Sequence, residues 1–418
     1  MKKIIFTLFC LAMYIPSFAI TDALLSFYQR ESITKGKTTR QDRMFAAALA
    51  QDVAQWLQAH PQHAETKQAL LMKADYEQRA GQKDRALIAW YQVRFLFPDA
   101  QDMVLLSANV DQMMDQINHR QKAQALQLLT VDTAALSTQQ QRQAALLTNL
   151  VKSNLEEVYL PVNELFEQYF TQYPQDAQLD KMILLYGDWH RQNRNYHAAV
   201  LEYKKVHELF PNTVYKAASL RMMADVYAAD LRDYETAVAL YDQVLKQYPD
   251  STEIGIVYKH MAVMEENRKN YDEALVYYDK AIADLGDKPT AYEAWQGKTD
   301  VLLKTKEYQA AYDTLIKGSK VFAKEEKKYV DFYIQAAEIA QRRLKNLPLQ
   351  AAALSKVLMD YPQNQHAPEL MYQLGESYEK QAKTGDAIIT YKWLILQFPT
   401  DKWASRAQGR LNRLEKSE

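Results

Sequence analysis

Apolar and polar positions along this chain follow a helical beat. Offsets of 4, 3 and 4 residues recur in Ala86/Trp90/Val93/Phe97, Ala199/Tyr203/Val206/Phe210, Ala237/Tyr241/Val244/Tyr248 and Ala387/Tyr391/Leu394/Phe398. Such offsets place four side chains on one face of an α-helix. A proline follows each group and ends the helix, because it cannot continue the hydrogen-bond ladder. The resulting aromatic–proline marker appears as Phe97-Pro98, Tyr173-Pro174, Phe210-Pro211, Tyr248-Pro249, Tyr361-Pro362 and Phe398-Pro399, with His60-Pro61 a weaker version. From Pro61 onward the prolines lie 37, 76, 37, 38, 113 and 37 residues apart. These are one, two or three lengths of a unit of 37–38 residues.

Each marker helix has an upstream partner. Met223-Ala224-x-x-Tyr227 and Leu374-Gly375-x-x-Tyr378 set its pattern, and short polar turns such as Arg194-Asn195-Tyr196, Arg232-Asp233-Tyr234 and Lys269-Asn270-Tyr271 join the two helices. Small residues at 199, 224, 237, 274, 375 and 387 allow close helix approach, and aromatics fill the gap to the next pair. About ten such pairs fit into 62–399. The units at 250–286 and 287–323 keep Ala274/Tyr278 and Ala311/Leu315 without the proline, and 99–137 is degenerate. Pro161 and Pro348 fall at the starts of second helices, where proline is tolerated. Over 400–418, Trp403, Ala407, Leu411 and Leu414 form a stripe opposite Arg406, Arg410 and Arg413. That is a C-terminal capping helix with a polar outer face, which a stack of repeats needs for solubility.

The N-terminus reads differently. Residues 20–61 are less regular and form an N-terminal helical segment or a degenerate first unit. Residues 1–19 carry Lys2 and Lys3, an apolar run from Ile4 to Tyr14, then Pro16 and Ser17-Phe18-Ala19. This is the pattern of a secretory signal peptide cleaved before Ile20. The run is too short to span a bilayer comfortably, and no later run approaches that length. Cys10, the only cysteine, lies in this leader behind Phe9, which does not suit a lipidation box. The mature chain would then lack cysteine, so it forms neither disulfides nor thiolate metal sites.

Composition narrows the class of function. Ten Gly and twelve Pro in 418 residues argue against an all-β fold. The balance of 51 basic and 52 acidic residues removes any global case for nucleic-acid binding. Gly36-Lys37-Thr38 and Gly297-Lys298-Thr299 resemble the end of a phosphate-binding loop, but the required earlier glycine is Glu31 or Tyr292. His190, His197 and His207 fall on two helices and read as surface histidines rather than a metal site. No nucleophile, acid–base pair or metal-ligand set emerges, so the expectation is a non-enzymatic protein without cofactor or metal.

The pattern of a small residue and Tyr in one helix, then Ala, an aromatic and Pro in the next, resembles the tetratricopeptide repeat family. The likeness runs through 160–400, and 366–410 carries it best. Its longer period and aromatic–proline ending are most similar to periplasmic repeat proteins of bacterial envelopes, the BamD-like assembly subunits and the CpoB/YbgF-like coordinators of the Tol–Pal system. The resemblance implies an all-α solenoid, wound as a right-handed superhelix with a concave binding surface. It also implies a periplasmic scaffold, peripheral to the outer membrane, that binds envelope proteins or peptides during assembly, division or secretion. Peptidoglycan or polysaccharide is the alternative partner, and Tyr372 is its aromatic candidate.

One series keeps the repeat phase. The residue after the small position of each first helix is Asp75, Asp188, Asp225, Asp300, Glu338 or Glu376, and Val263 breaks the series. The next turn adds Arg79, Arg191, Lys304 and Glu379. In the resembled family this position faces the concave surface, so the acids are candidates for binding a partner's donors. The competing expectation is that each acid pairs with a basic residue of a neighbouring helix and fixes the stack.

Overall fold

The computed structural model describes residues 26–27, 29–31, 39–61, 63–98, 103–115, 123, 126–128, 130–133, 135–155 and 158–415. The leader 1–19 with its cleavage point, Cys10, Gly36-Lys37-Thr38 and residues 416–418 lie outside them. Among the described residues the regular structure is entirely helical. None of these helices is long and apolar enough to cross a membrane. The chain divides into two compact units, at 213/214.

The first unit holds α1 (Thr39–Ala59), α2 (Thr66–Ala80), α3 (Lys83–Leu96), α4 (Met103–Asp115), α5 (Gln139–Ser153), α6 (Tyr159–Gln172), α7 (Leu179–Gln192) and α8 (Tyr196–Leu209). Neighbours in sequence pack as pairs, α2 with α3 and α7 with α8. Tyr76, Tyr91, Phe95, Phe166, Tyr169 and Trp189 are the largest side chains buried in its core. Within the degenerate stretch, 103–115 is helical and buries Leu106, Val110 and Met113.

The second unit holds α9 (Lys216–Asp225), α10 (Tyr234–Gln247), α11 (Ile254–Asn267), α12 (Tyr271–Leu285), α13 (Ala291–Lys304), α14 (Tyr308–Val321), α15 (Glu326–Arg342), α16 (Leu347–Asp360), α17 (Ala367–Lys380), α18 (Thr384–Gln397) and α19 (Lys402–Leu414). Helices α9 to α18 form five successive pairs. The marker aromatics Tyr173, Phe210, Tyr248, Tyr361 and Phe398 each follow the last helical residue before their proline. Pro161 and Pro348 sit in the first turns of α6 and α16. Gly297-Lys298-Thr299 lies inside α13, where no phosphate loop can form.

The turn between paired helices is as periodic as the helices. Arg194, Arg232, Lys269, Lys306, Lys345 and Ala382 all have positive φ, between 54° and 67°. Each terminates its first helix in the left-handed conformation, which frees the chain to turn back. The following backbone N–H closes the end by bonding to a carbonyl inside the helix: Asn195 to His190 at 2.8 Å, Asn270 to Glu265 at 2.9 Å, Lys383 to Tyr378 at 3.0 Å.

The small positions have a packing reason. Ala224, Ala262, Thr299 and Ala337 are buried. A Cβ on Gly187 would lie 2.7 Å from Tyr203 Cδ1, and one on Gly375 would lie 2.7 Å from Tyr391 Cζ. The tyrosine of the second helix thus lies flat on the first, with no room for a methyl group.

One unit departs from the pattern. After Asp225 the helix continues as a π-turn, Val226–Leu231. Asp188 lies six residues before its left-handed residue Arg194, whereas Asp225 lies seven before Arg232, as Glu338 does before Lys345. The wider turn absorbs this extra residue, so the acidic position stays in phase while the connection moves on.

Helix α19 buries Ala404, Ala407 and Leu411 and exposes Arg406 and Arg413, as a cap requires. Arg410 departs from the expected outer face. It is half-buried and turned onto α17.

Candidate functional site

The acidic positions divide by what the facing second helix carries. Where that helix presents a tyrosine at its central position, an acid of the first helix accepts the hydroxyl. Tyr203 donates to Asp188 Oδ1 at 2.7 Å, Tyr241 to Asp225 Oδ1 at 2.7 Å, Tyr278 to Glu266 Oε2 at 2.9 Å and Tyr391 to Glu379 Oε1 at 2.5 Å. A buried hydroxyl needs such a partner, and a bond to a charged acceptor is worth about 1.5–3 kcal/mol. Two registers serve the purpose. Asp188 and Asp225 sit directly after the small residue, and Glu266 and Glu379 sit one turn later. The break at Val263 is thereby explained, since its unit supplies the acid at Glu266.

Where the second helix carries leucine, the acid has no hydroxyl to accept. Leu315 of α14 and Leu354 of α16 occupy the central position and are fully buried. Asp300 and Glu338, in the paired helices α13 and α15, are exposed. Glu338 contacts Arg342 on its own helix at 2.9 Å. Lys304 reaches Glu266 at 2.5 Å and is half-exposed.

Asp225 does not behave as a surface contact. It is 6% exposed and held by three side chains: the Tyr241 hydroxyl, His260 Nδ1 at 2.5 Å and the Arg221 guanidinium. Arg221 Nε also reaches Glu253 at 2.5 Å. Burial alone would raise the Asp225 carboxyl, but the hydrogen bond and charge of His260, together with Arg221, hold it below the usual range. A charge this enclosed fixes α9, α10 and α11 to one another; removing one partner of such a set leaves an uncompensated charge.

The remaining candidates fall into local clusters. In the first unit Arg79 joins Glu31 at 2.6 Å, Asp42 at 3.1 Å and Asp75 at 3.7 Å. Asp188 and Arg191 are half-buried on α7. In the second unit Arg410 bonds Glu376 at 2.6 Å and Glu379 at 3.3 Å, and its Nε lies 3.5 Å from the Tyr372 hydroxyl. The Tyr372 ring packs on Trp403 at 5.0 Å and Tyr391 at 5.9 Å between ring centres. Tyr372 is therefore part of the joint between α17 and α19.

Sequence reasoning missed Glu266, Arg221, Glu253, His260 and Arg410. Arg221 lies four residues before Asp225, a legible helical spacing. His260 and Arg410 come from other helices 35 and 34 residues from their acids. Their signal was the repeat period itself applied to basic residues. His190, read as a surface histidine, is instead buried. Its Nδ1 meets the Tyr159 hydroxyl at 2.9 Å, and Tyr186 packs on its ring. Burial and the nearby Lys205 charge push it down to about 4. Among the described residues no group of His, Cys, Asp and Glu side chains is arranged to hold a metal ion.

The family model described as tetratricopeptide repeat matches residues 218–251 and 369–401. These are the pairs α9–α10 and α17–α18. No curated protein matches the chain. Among solved structures, the chain is similar to a tetratricopeptide repeat protein from Parabacteroides merdae, at 14% identity over 66% of this chain and 98% of that one, with a TM-score of 0.35. It is also similar to the C-terminal part of a repeat-containing protein from Cytophaga hutchinsonii, at 15% identity over 63% and 98%, with a TM-score of 0.40. A third is PilW, described as a widely conserved type IV pilus biogenesis factor, at 17% identity over 56% and 100%, with a TM-score of 0.32. Residues 218–251 and 369–401 are thus tetratricopeptide repeats, the kind of repeat that serves as a scaffold for protein–protein interaction.

Proposed function

We propose that the chain is a non-enzymatic scaffold exported to the periplasm, where it binds protein partners during cell-envelope assembly, division or secretion. The observation that carries this reading is the division of the acidic series. Asp300 and Glu338 keep the repeat phase yet serve no tyrosine, and both are exposed. An acid held in phase on successive repeats suits an extended partner that presents amide or basic donors at similar intervals. Preformed helices hold these acids in place, which limits the ordering cost of binding. The leader 1–19 supports export. Tyr372, the aromatic candidate for a glycan, packs on Trp403 and Tyr391 and meets Arg410, which favours the protein reading over the glycan one.

A photo-crosslinking residue at Glu338, with Lys246 on α10 as control, tests the proposal in cells. Buried Asp225 is unsuitable, since replacing it would disturb the fold. One envelope protein captured from Glu338 and not from Lys246 is the expected result. Equal capture from both sites would sink the proposed surface. The export half is checked by the mass of the mature chain, which should begin at Ile20 in a periplasmic extract.

A further inference from the structure

Helix α19 repeats α17 with the charge of its far face reversed. Its residues stand 37 positions after those of α17, which is the length of the repeat unit. Ala367, Leu370 and Leu374 become Ala404, Ala407 and Leu411, and all six are buried. The two helices therefore turn corresponding faces to the core, and their far faces correspond as well. On α17 the far face carries Tyr372 and Glu376, which receive α19 through Trp403 and Arg410. On α19 the same positions are Gly409 and Arg413. Where the α17 face takes a base, the α19 face is built to take an acid.

Lys402, Arg406 and Arg413 lie along this face at helical offsets and are exposed. Among the described residues none of the three has an acidic partner. The acids nearest in sequence are already engaged: Asp401 accepts the Trp403 backbone N–H at 2.8 Å, and Glu415 pairs with Lys392 at 2.9 Å. The Arg406 guanidinium lies 4.6 Å from the Trp403 ring centre, which steadies it without using its N–H donors. Gly409, between the two arginines, has nothing within 4 Å of a Cβ, so another backbone can approach there. Arg406 and Arg413 are seven residues apart, about 10 Å along the axis. Carboxylates at i and i+7 of another helix have the same separation, and arginine is the base best shaped to receive them. An anionic lipid surface is usually met by clusters of about 4–8 bases, more than this stripe offers.

We infer that the face of α19 bearing Arg406, Gly409 and Arg413 docks an acidic helix of a protein partner, whose carboxylates at i and i+7 bond the two arginines as Glu376 bonds Arg410. The inference rests on the scaffold reading for its protein partner, but it concerns a different surface from Asp300 and Glu338.

The test is fluorescence anisotropy on the full chain with labelled alanine-rich peptides of about twenty residues, long enough to be helical alone. One peptide carries Glu at i and i+7, a second carries Gln there, and a third carries its two Glu at i and i+2, on different faces. The first should bind more tightly than the second by about threefold for each ion pair, about tenfold in all, and less so as salt rises. The third should lose about half of that preference on a logarithmic scale. Arg406→Gln and Arg413→Gln should each remove about threefold while keeping the wild-type melting temperature, because both side chains are exposed. Equal binding of all three peptides, or a preference that survives both substitutions, would overturn the docking face. So would co-sedimentation with phosphatidylglycerol vesicles that Arg413→Gln abolishes, which assigns the stripe to lipid. A dimer in sedimentation velocity that the same substitution dissolves would assign it to a second copy instead. The peptide comparison on the unaltered chain decides the matter even if a variant folds poorly. Failure here with capture at Glu338 removes only this face. A Glu preference here without capture at Glu338 removes the proposed acidic surface and leaves this one.

Discussion

A glycine and a tyrosine show most directly how the repeat is held. Tyr391 lies on Gly375 so closely that an added methyl group has no space. Gly375→Ala should therefore cost about 1–3 kcal/mol, the usual penalty for overpacking. Gly409 in α19 has nothing within 4 Å of a Cβ. Gly409→Ala should stabilise by about 0.5–1 kcal/mol through helix propensity. Urea unfolding of the two variants separates packing from propensity, and equal signs would refute the argument. His190 makes a second case at this scale. Its folded-state value of about 4 lies below the ordinary 6.5, so the unfolded chain binds the extra proton between those limits. Stability should thus fall as pH drops from 6.5 to 4, by up to about 3 kcal/mol. In His190→Gln this loss should vanish, as denaturant titrations at pH 7 and 4.5 would reveal. The burial of His190 was not legible in its neighbours. Its pattern on α7 is that of any helical histidine, and Tyr159, from the preceding pair, completes the enclosure that Tyr186 begins.

Helices and turns carry information of another kind. Ala382 ends α17 with φ of 56°, a conformation that costs an L-residue about 1 kcal/mol. Ala382→Gly should raise the unfolding free energy by about 0.5 kcal/mol, since glycine adopts that turn freely. A lower melting temperature for the variant in calorimetry would show that the turn carries no such strain. The cap α19 depends on Arg410, which reaches Glu376, Glu379 and Tyr372. Arg410→Met should speed amide exchange throughout α19 and leave α11 and α12 unchanged. The helix ends were legible because aromatic and proline occur together, and the pairing was legible because small and aromatic residues alternate with it. Arg410 was misjudged because a cap's polar face and an inter-helix arginine have the same spacing. Asp225 follows the competing expectation of an acid paired within the stack, and its burial was not legible because it depends on Arg221 and His260 arriving from either side. The acid at Glu266 was hidden by the assumption that one register serves every unit.

At the scale of the molecule, each pair meets mainly its neighbours in sequence. Damage should therefore stay local within a unit, as in any repeat stack. The Gly375→Ala change should open α16 to α19 to hydrogen exchange well before α9 to α12. Uniform loosening across 214–415 would argue for a single cooperative block instead. The π-turn at Val226–Leu231 adds a consequence for insertions and deletions. A residue removed from α17 swings everything after it by about 100° around the axis. A residue removed from the π-turn has somewhere to be taken from, because the surplus is already stored there. Shortening this turn by one residue should leave Tyr241 against Asp225 and merely convert the wide turn to an ordinary one. The repeat can thus change its length without losing its rotational phase.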